Sequence, residues 1–369
     1  MDCIVIHYAE IGLKGTNRPF FERALVNNIK SRTGLAVNRE YGRLIMAYDK
    51  SKLSALKLIP GIAYYSPAIK AKLDINDIIS KTGLLLIKDS FRVSARRSNK
   101  GFPLTSPEIN KLVGESLFNK GLKVDLHKPK TDLIIEVGEK NAYLYTKKVK
   151  GLGGLPLGVT GKLVGLVSGG IDSPVACYEM IRRGCELILV HFYNNHEGVK
   201  EKITALATLL AKYQGSIKLY LVPFLETQKE VIMSVPATHR MITYRRLMFL
   251  IAGKVLDHEG AKGFVTGDNV AQVASQTLDN LRTIWQAAKE NVYAPLIGLD
   301  KSDIISIAKR IGTYETSIKP YSDCCSYLIA QHPETRSRLI DVKKIESKMN
   351  VNSLVNKAFK NAQIIIIKH

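Results

Sequence analysis

Acidic residues are scarce in this chain: 33 Asp and Glu stand against 54 Lys and Arg, a formal charge of +21 over 369 residues. The imbalance is steepest early, with 27 basic against 14 acidic side chains in residues 1–160. Such an excess favours a polyanionic partner, and nucleic acid leads that class ahead of a membrane surface. Cysteine is also sparse. Cys3, Cys177, Cys185, Cys324 and Cys325 are odd in number and lack C-x-x-C spacing, which argues against a disulfide framework or a structural zinc site and leaves reduced thiols. No apolar run approaches the length that crosses a bilayer, and the first residues lack the pattern of a signal peptide. The expectation is a cytoplasmic protein of two or three folded domains without a membrane partner.

What is present is arranged around residues 163–184, LVGLVSGGIDSPVACYEMIRRG. The apolar, β-branched start reads as a buried strand, and Val175, Ala176, Met180 and Ile181 recur at helical spacing. Between them, Ser168, Gly169, Gly170, Ile171, Asp172 and Ser173 form a turn whose glycines let successive N–H groups face one anion. Ser173 and Pro174 suit a helix start, where unpaired donors and the positive dipole end meet the same point. No Lys follows the glycines, so this is not a Walker loop. It resembles the pyrophosphate loop of ATP pyrophosphatases, enzymes that split ATP between the α and β phosphates and adenylate an oxygen. That resemblance makes Asp172 an expected Mg2+ ligand, in keeping with the ion's preference for oxygen donors.

Ahead of this motif, residues 4–8 read as a strand, 20–31 as a helix, 36–40 and 44–48 as paired strands and 51–58 as a second helix. This order suggests a small α+β unit of ferredoxin-like type over residues 1–60. Its first loop carries Lys14 and Arg18, a phosphate contact or a solvated basic turn. Residues 61–150 form a second unit, with a helix at 74–86, a positively charged strand at 90–97, a helix at 106–120 and strands at 132–137 and 142–149. Arg92, Arg96, Arg97, Lys128 and Lys130 are its candidate RNA contacts, and Phe91 and Phe102 among these basic segments would suit RNA as well. This part resembles a THUMP domain, an RNA-binding module of tRNA-modifying enzymes. Glycines and a proline make residues 151–160 a linker.

From residue 161 to 369 strands and helices alternate, which implies a mostly parallel sheet covered on both faces with its ligand at the carboxyl ends of the strands. His191 and Phe192 close the second strand and either hold adenine or simply end a buried strand. Residues 266–277, TGDNVAQVASQT, carry too many amides and hydroxyls for a core segment. Arg245 and Arg246 on the preceding helix offer phosphate neutralisation or a solvated face. Adjacent Cys324 and Cys325 are poor partners for a mutual disulfide, since vicinal pairs are strained, and read as a nucleophilic or sulfur-carrying thiol, or as two small buried residues. Lys319, His332 and Arg336 are candidates to activate the thiolate.

Taken together, AEIGLKGTNRPFFE, GLGGLPLGVTGK, SGGIDSPVA, the double arginine, TGDNVAQVASQT, PLIGLDKSDI and SDCC followed by QHPETR resemble the tRNA 4-thiouridine synthetase family, in the form without a rhodanese-like domain. The resemblance implies an α/β fold: a parallel-sheet ATP-pyrophosphatase domain preceded by ferredoxin-like and THUMP domains. It implies ATP held at Leu166, Val167, Ser168, Gly169, Gly170, Asp172, Ser173, His191, Phe192, Arg245, Gly267 and Gln276, with Mg2+ at Asp172. A catalytic cysteine is implied at Cys324, with Cys325 as the alternate carrier. The implied reaction adenylates the C4 oxygen of a tRNA uridine and then transfers sulfur to give 4-thiouridine. Sulfur would come from a cysteine desulfurase persulfide or from inorganic sulfide. The adjacent cysteine pair disfavours an iron–sulfur cluster, and Ala294 replaces an arginine common in the family. A homodimer belongs to the same set of expectations, as does an alternative acceptor: a sulfur-carrier protein for thiamine thiazole synthesis, or another tRNA base.

Overall fold

The computed structural model describes residues 1–87, 89–194, 198–320 and 330–369. It divides into two compact units, Met1–Leu157 and Gly158–His369.

In the first unit the strands are β1 (Cys3–Tyr8), β2 (Val37–Glu40), β3 (Arg43–Ala47), β4 (Ile62–Ala71), β5 (Ser90–Arg97), β6 (Lys123–Val124), β7 (Thr131–Val137), β8 (Ala142–Tyr145) and β9 (Val149–Lys150). They share one sheet in the order β2-β3-β1-β4-β8-β7-β5-β6, with β9 also on β4. β1 runs antiparallel to β3 and β4, whereas β5 runs parallel to β7 and β6. The two-residue period of β1 explains its even burial. Ile4 and Ile6 enter one core, with Leu25 and Ile29 of the helix Arg18–Thr33, while Cys3 and Val5 face Ile134 and Tyr145 across the other side. The helix starts at Arg18 rather than at residue 20 because Pro19 suits a first turn, and it stops at Gly34, whose φ of 74° favours glycine. The expected helix at 51–58 is reduced to a 3-10 turn, Lys50–Lys52, and one helical turn, Leu53–Leu56.

Phe91 and Phe102 do not face RNA. Both are buried, at 1% and 6% exposure, in the core with Ile69, Val93 and Leu133, and burial of each ring is worth roughly 2 kcal/mol. Beneath the same sheet Glu136 sits at 3% exposure, with His7 Nε2 at 3.0 Å, Arg43 at 2.8 Å and the Tyr145 hydroxyl donating to it at 2.6 Å. Burial pushes this carboxyl up, but the His7 and Arg43 contacts and Tyr145 outweigh it and hold the group at about 2.

In the second unit β10 (Gly161–Leu166), β11 (Cys185–Tyr193), β12 (Ser216–Pro223), β13 (Phe264–Val265), β14 (Val292–Tyr293) and β15 (Gln363–Lys368) form a sheet ordered β14-β13-β10-β11-β12-β15. Every pairing is parallel except β12 with β15. The chain moves outward from β10 to β11 and β12, then returns to β13 on the other side of β10, so the switch point where such sheets bind ligands lies at the end of β10. Gly165 in β10 is required by packing. A Cβ there would lie 2.7 Å from Cys177 Sγ, on the helix Asp172–Arg182. Cys177 is fully buried and its thiol is pushed up to about 12 by burial, so it packs and does not react. Beyond Ile311 the structure adds helices Leu339–Glu346 and Val351–Lys360 and the edge strand β15.

Candidate nucleotide-binding site

The loop after β10 is stapled by its own serines. Ser168 N donates to Ser173 Oγ at 2.9 Å, Ser173 Oγ lies 3.3 Å from Ser168 O, and Gly170 N donates to Ser168 Oγ at 3.3 Å. The helix begins at Asp172, so its first-turn N–H groups open onto this loop. Gly267, just past β13, closes the other side. A Cβ on it would sit 2.6 Å from Ser173 N and 2.8 Å from the Asp172 carbonyl carbon, so only glycine lets the two backbones meet.

These walls enclose a cavity of about 470 Å3. Leu166, Val167, Ser168, Asp172 and Ser173 line it from the first strand and loop, His191 and Phe192 from the end of β11, Arg245 from the helix Arg240–Glu259, and Gly267 and Gln276 from the segment after β13. The fold thus brings together the nucleotide residues expected from the sequence, with Gly169 and Gly170 on the loop between them. His191 is 2% exposed and its Nδ1 faces Val167 O at 2.8 Å, which places the ring proton on Nδ1. Phe192 packs edge-on to Phe224, with centroids 5.4 Å apart.

Sequence reasoning missed the group at the centre of the cavity wall. Asp268, 3% exposed, takes two bonds from Arg245 Nη2 at 2.7 and 2.8 Å. It also accepts from Thr266 Oγ1 at 2.9 Å, Gln276 Nε2 at 3.2 Å and Trp285 Nε1 at 3.2 Å. Burial pushes this carboxyl up, yet Arg245 and the hydrogen bonds hold it below the usual carboxylate range. Thr266, Asp268 and Asn269 are therefore buried after all, because their polar groups find partners inside; Asn269 Nδ2 donates to Leu299 O at 2.6 Å. Nor is Arg246 solvated. It is 3% exposed, paired with Glu346 at 2.6 Å, and bonded to Thr283 O and Gln286 Oε1. Its role is to clip two helices together. The buried Oε1 of Gln276 has no hydrogen-bond partner among the described residues.

Asp172 faces the loop with Lys301 Nζ 2.5 Å from Oδ1 and Gln272 Nε2 2.9 Å from Oδ2. Lys301 lies within PLIGLDKSDI, and only the fold shows that it reaches the loop. Among the described residues no three His, Cys, Asp or Glu side chains cluster as a metal site. Cys324 and Cys325 lie outside the described residues, and so does their relation to Lys319, His332 and Arg336. The other three cysteines, Cys3, Cys177 and Cys185, are buried.

The expected RNA contacts lie in the first unit, in two groups. Arg18 is paired with Glu22 at 2.8 Å and lies between the rings of Tyr8 and Tyr41, and Lys14 sits over Phe21. Across the sheet, Arg92 pairs with Asp132 at 2.7 Å, Lys130 with Asp89 at 2.8 Å, and Arg97 donates to Phe102 O at 2.9 Å. Arg96 and Lys128 are exposed.

A stapled, glycine-tight loop at the switch point of a parallel sheet defines a nucleotide-binding α/β domain of the ATP-pyrophosphatase class. The comparisons agree. The model of the thiamine biosynthesis protein (ThiI) family matches residues 158–351, the ThiI ferredoxin-like domain residues 3–66 and the THUMP domain residues 72–147. The chain is 39% identical over 381 residues to the probable tRNA sulfurtransferase of Moorella thermoacetica, covering 99% of this chain and 97% of that one. It is 38% identical over 374 residues to the probable tRNA sulfurtransferase of Thermus thermophilus, covering 97% and 92%. The structure of a 4-thiouridine synthetase in complex with RNA, with ATP bound, matches with a TM-score of 0.91 and 36% identity over 100% of both chains. PH1313 of Pyrococcus horikoshii Ot3 matches with a TM-score of 0.65 and 25% identity, over 85% of this chain and 100% of that one. The chain belongs to the ThiI family.

Proposed function

We propose that the chain is an ATP-dependent tRNA sulfurtransferase that makes 4-thiouridine. The observation that carries the reading is the cavity at the end of β10, in a chain whose full length matches a 4-thiouridine synthetase with bound RNA and ATP. Its volume suits a nucleotide. Gln276 Oε1, without a hydrogen-bond partner among the described residues, is an acceptor for the exocyclic amine of adenine, and the loop at Ser168–Ser173 offers to the pyrophosphate the N–H groups that Ser168 and Gly170 do not already spend inside it.

The uracil C4 oxygen is a poor leaving group, so it first attacks the α-phosphate and pyrophosphate departs into the loop. The loop amides and Lys301 face the charge that develops there. Mg2+ would be held by Asp172 in place of its present contacts with Lys301 and Gln272, one carboxylate plus substrate phosphates being a common way to hold the ion, and would supply charge neutralisation to the phosphates. Free sulfide then displaces AMP from C4 and leaves the C4 sulfur directly; a persulfide on Cys324 or Cys325 displaces AMP through its outer sulfur, and a second thiol must then attack the cysteine sulfur, cleaving the S–S bond, forming a new disulfide and releasing 4-thiouridine. The basic side chains of the first unit engage the tRNA. The same adenylation acting on a sulfur-carrier protein is the second reading, favoured by the description of the matched family as a thiamine biosynthesis protein.

Asp172→Ala tests the proposal. Purified variant, tRNA and ATP should release no pyrophosphate while tRNA affinity stays near that of the wild type. Near-normal adenylation by the variant would defeat the assignment.

A further inference from the structure

Beside the nucleotide cavity lies a groove of about 380 Å3, and Glu334 belongs to the walls of both. Arg336, Arg338, Lys344, Lys348 and His239 line it, with Glu334 and Asp341 as its acidic members. Asp341 is engaged by Arg338 at 2.7 Å, and Glu334 Oε1 accepts from Arg336 N at 2.7 Å. Arg336, Lys344 and Lys348 are exposed. The groove therefore carries a net positive charge.

Its floor is fixed from within. Thr277, Asn280 and Thr283 recur every third residue along the helix Leu278–Trp285 and its cap, on one face. Thr277 Oγ1 donates to Thr335 O at 2.7 Å and Thr283 Oγ1 to Ser337 O at 3.1 Å. Asn280, fully buried, donates to Glu334 O at 2.7 Å and accepts from Ser337 N at 3.1 Å. The same Nδ2 donates to Ala274 O at 2.8 Å, and Ala274 lines the nucleotide cavity. One buried amide thus ties the cavity wall to the backbone that presents Arg336.

We propose that this groove holds the phosphodiester backbone of single-stranded RNA on either side of the nucleotide that enters the cavity. The inference rests on the functional reading above. A base that reaches an α-phosphate inside a cavity leaves its own 5′ and 3′ phosphates at the mouth, and a charged groove that tracks the backbone is how single strands are held there. Glu334 lies in both walls, so the cations adjoin the nucleotide cavity, and their charge matches the phosphates. Phosphate contacts position without reading sequence, so the groove places the target base and leaves its selection to other contacts.

The test uses the full chain with three substitutions, Arg336→Gln, Lys344→Gln and Lys348→Gln, and unmodified tRNA. A control of equal charge, Lys357→Gln, Lys360→Gln and Lys368→Gln, lies outside the groove. The groove variant should lose about tenfold or more in kcat/KM for tRNA, since a misplaced reacting base is costly. Its log–log salt slope for tRNA binding should fall by about 2, at roughly 0.7 per phosphate contact on a single strand. Affinity for a non-hydrolysable ATP analogue should stay within about twofold of the wild type, because no substituted residue lines the nucleotide cavity. If the triple variant melts early, single Lys348→Gln serves, with a slope loss of about 0.7. Wild-type kcat/KM and slope in the groove variant, or equal losses in the control, overturn the proposal. So does a loss of ATP affinity with RNA binding intact, which would make the groove part of the nucleotide site. A wild-type chain that binds tRNA but forms no 4-thiouridine would instead sink the functional reading, and the salt slope alone would still judge the groove.

Discussion

Asp268→Asn is the sharpest test of the cavity wall. The carboxylate is 3% exposed and faces donors on all sides: Arg245 Nη2 at 2.7 and 2.8 Å, Thr266 Oγ1, Gln276 Nε2 and Trp285 Nε1. An asparagine keeps the shape but turns one acceptor oxygen into an NH2 group. Arg245 Nη2 bonds both oxygens, so that group meets this donor whichever way the amide is turned, with Trp285 Nε1 or Gln276 Nε2 beside it. Arg245, only 16% exposed at its side chain, is left as an uncompensated charge. Breaking a buried pair in this way costs about 3–5 kcal/mol. In a domain of this size each kcal/mol is worth about 2–4 °C of melting temperature, so the variant should melt roughly 6–20 °C lower. Calorimetry of the full chain at neutral pH reads this. Because Asp268 also holds Gln276 and Arg245 in the cavity, ATP-analogue affinity at a temperature where the variant is folded should fall too, by equilibrium dialysis. A variant that melts within about 2 °C of the wild type and binds nucleotide normally would show that the ion pair organises nothing.

Three further outcomes are expected. Gly267→Ala sets a Cβ 2.6 Å from Ser173 N, against backbone that cannot rotate away, at a cost of about 1–3 kcal/mol; calorimetry should record lower stability and dialysis a lost nucleotide, and an unchanged ATP affinity would mean that the loop tolerates displacement. Glu136, held at about 2 against an ordinary 4.5, contributes roughly 3 kcal/mol that is fully present above the unfolded value and is lost as the pH falls from about 4.5 toward 2. Urea titrations of wild type and Glu136→Gln should therefore differ most at neutral pH and converge in acid, and a gap that widens in acid would contradict the sign. Cys324→Ser should stop thiolation from a persulfide donor while adenylation survives, with sulfide still converting the adenylate; mass spectrometry of digested tRNA counts 4-thiouridine, and full activity with the persulfide donor would remove the carrier role from Cys324.

The sequence by itself determined the local parts. Strand, Gly-Gly turn and helix over residues 163–184 are set by side chains a few positions apart, so their order, the alternation after residue 161 and the glycines of the loop are all legible in the chain. The same locality misleads where burial decides. Phe91 stands among basic residues in the sequence but packs inward, because the two-residue period of β5 says that alternate side chains share a face and does not say which face is wet; Phe102, in the bend after β5, joins the same core, which no local pattern announces. Arg246 reads as a surface residue until Glu346, 100 positions away, is found against it. Asp268 with Arg245, Lys301 with Asp172, and Asn280 with the backbone of Glu334 and Ser337 were likewise decided by tertiary structure. Each is a contact between groups far apart in the chain whose strength comes from exclusion of water, and that exclusion exists only once the sheet and its covering helices have formed.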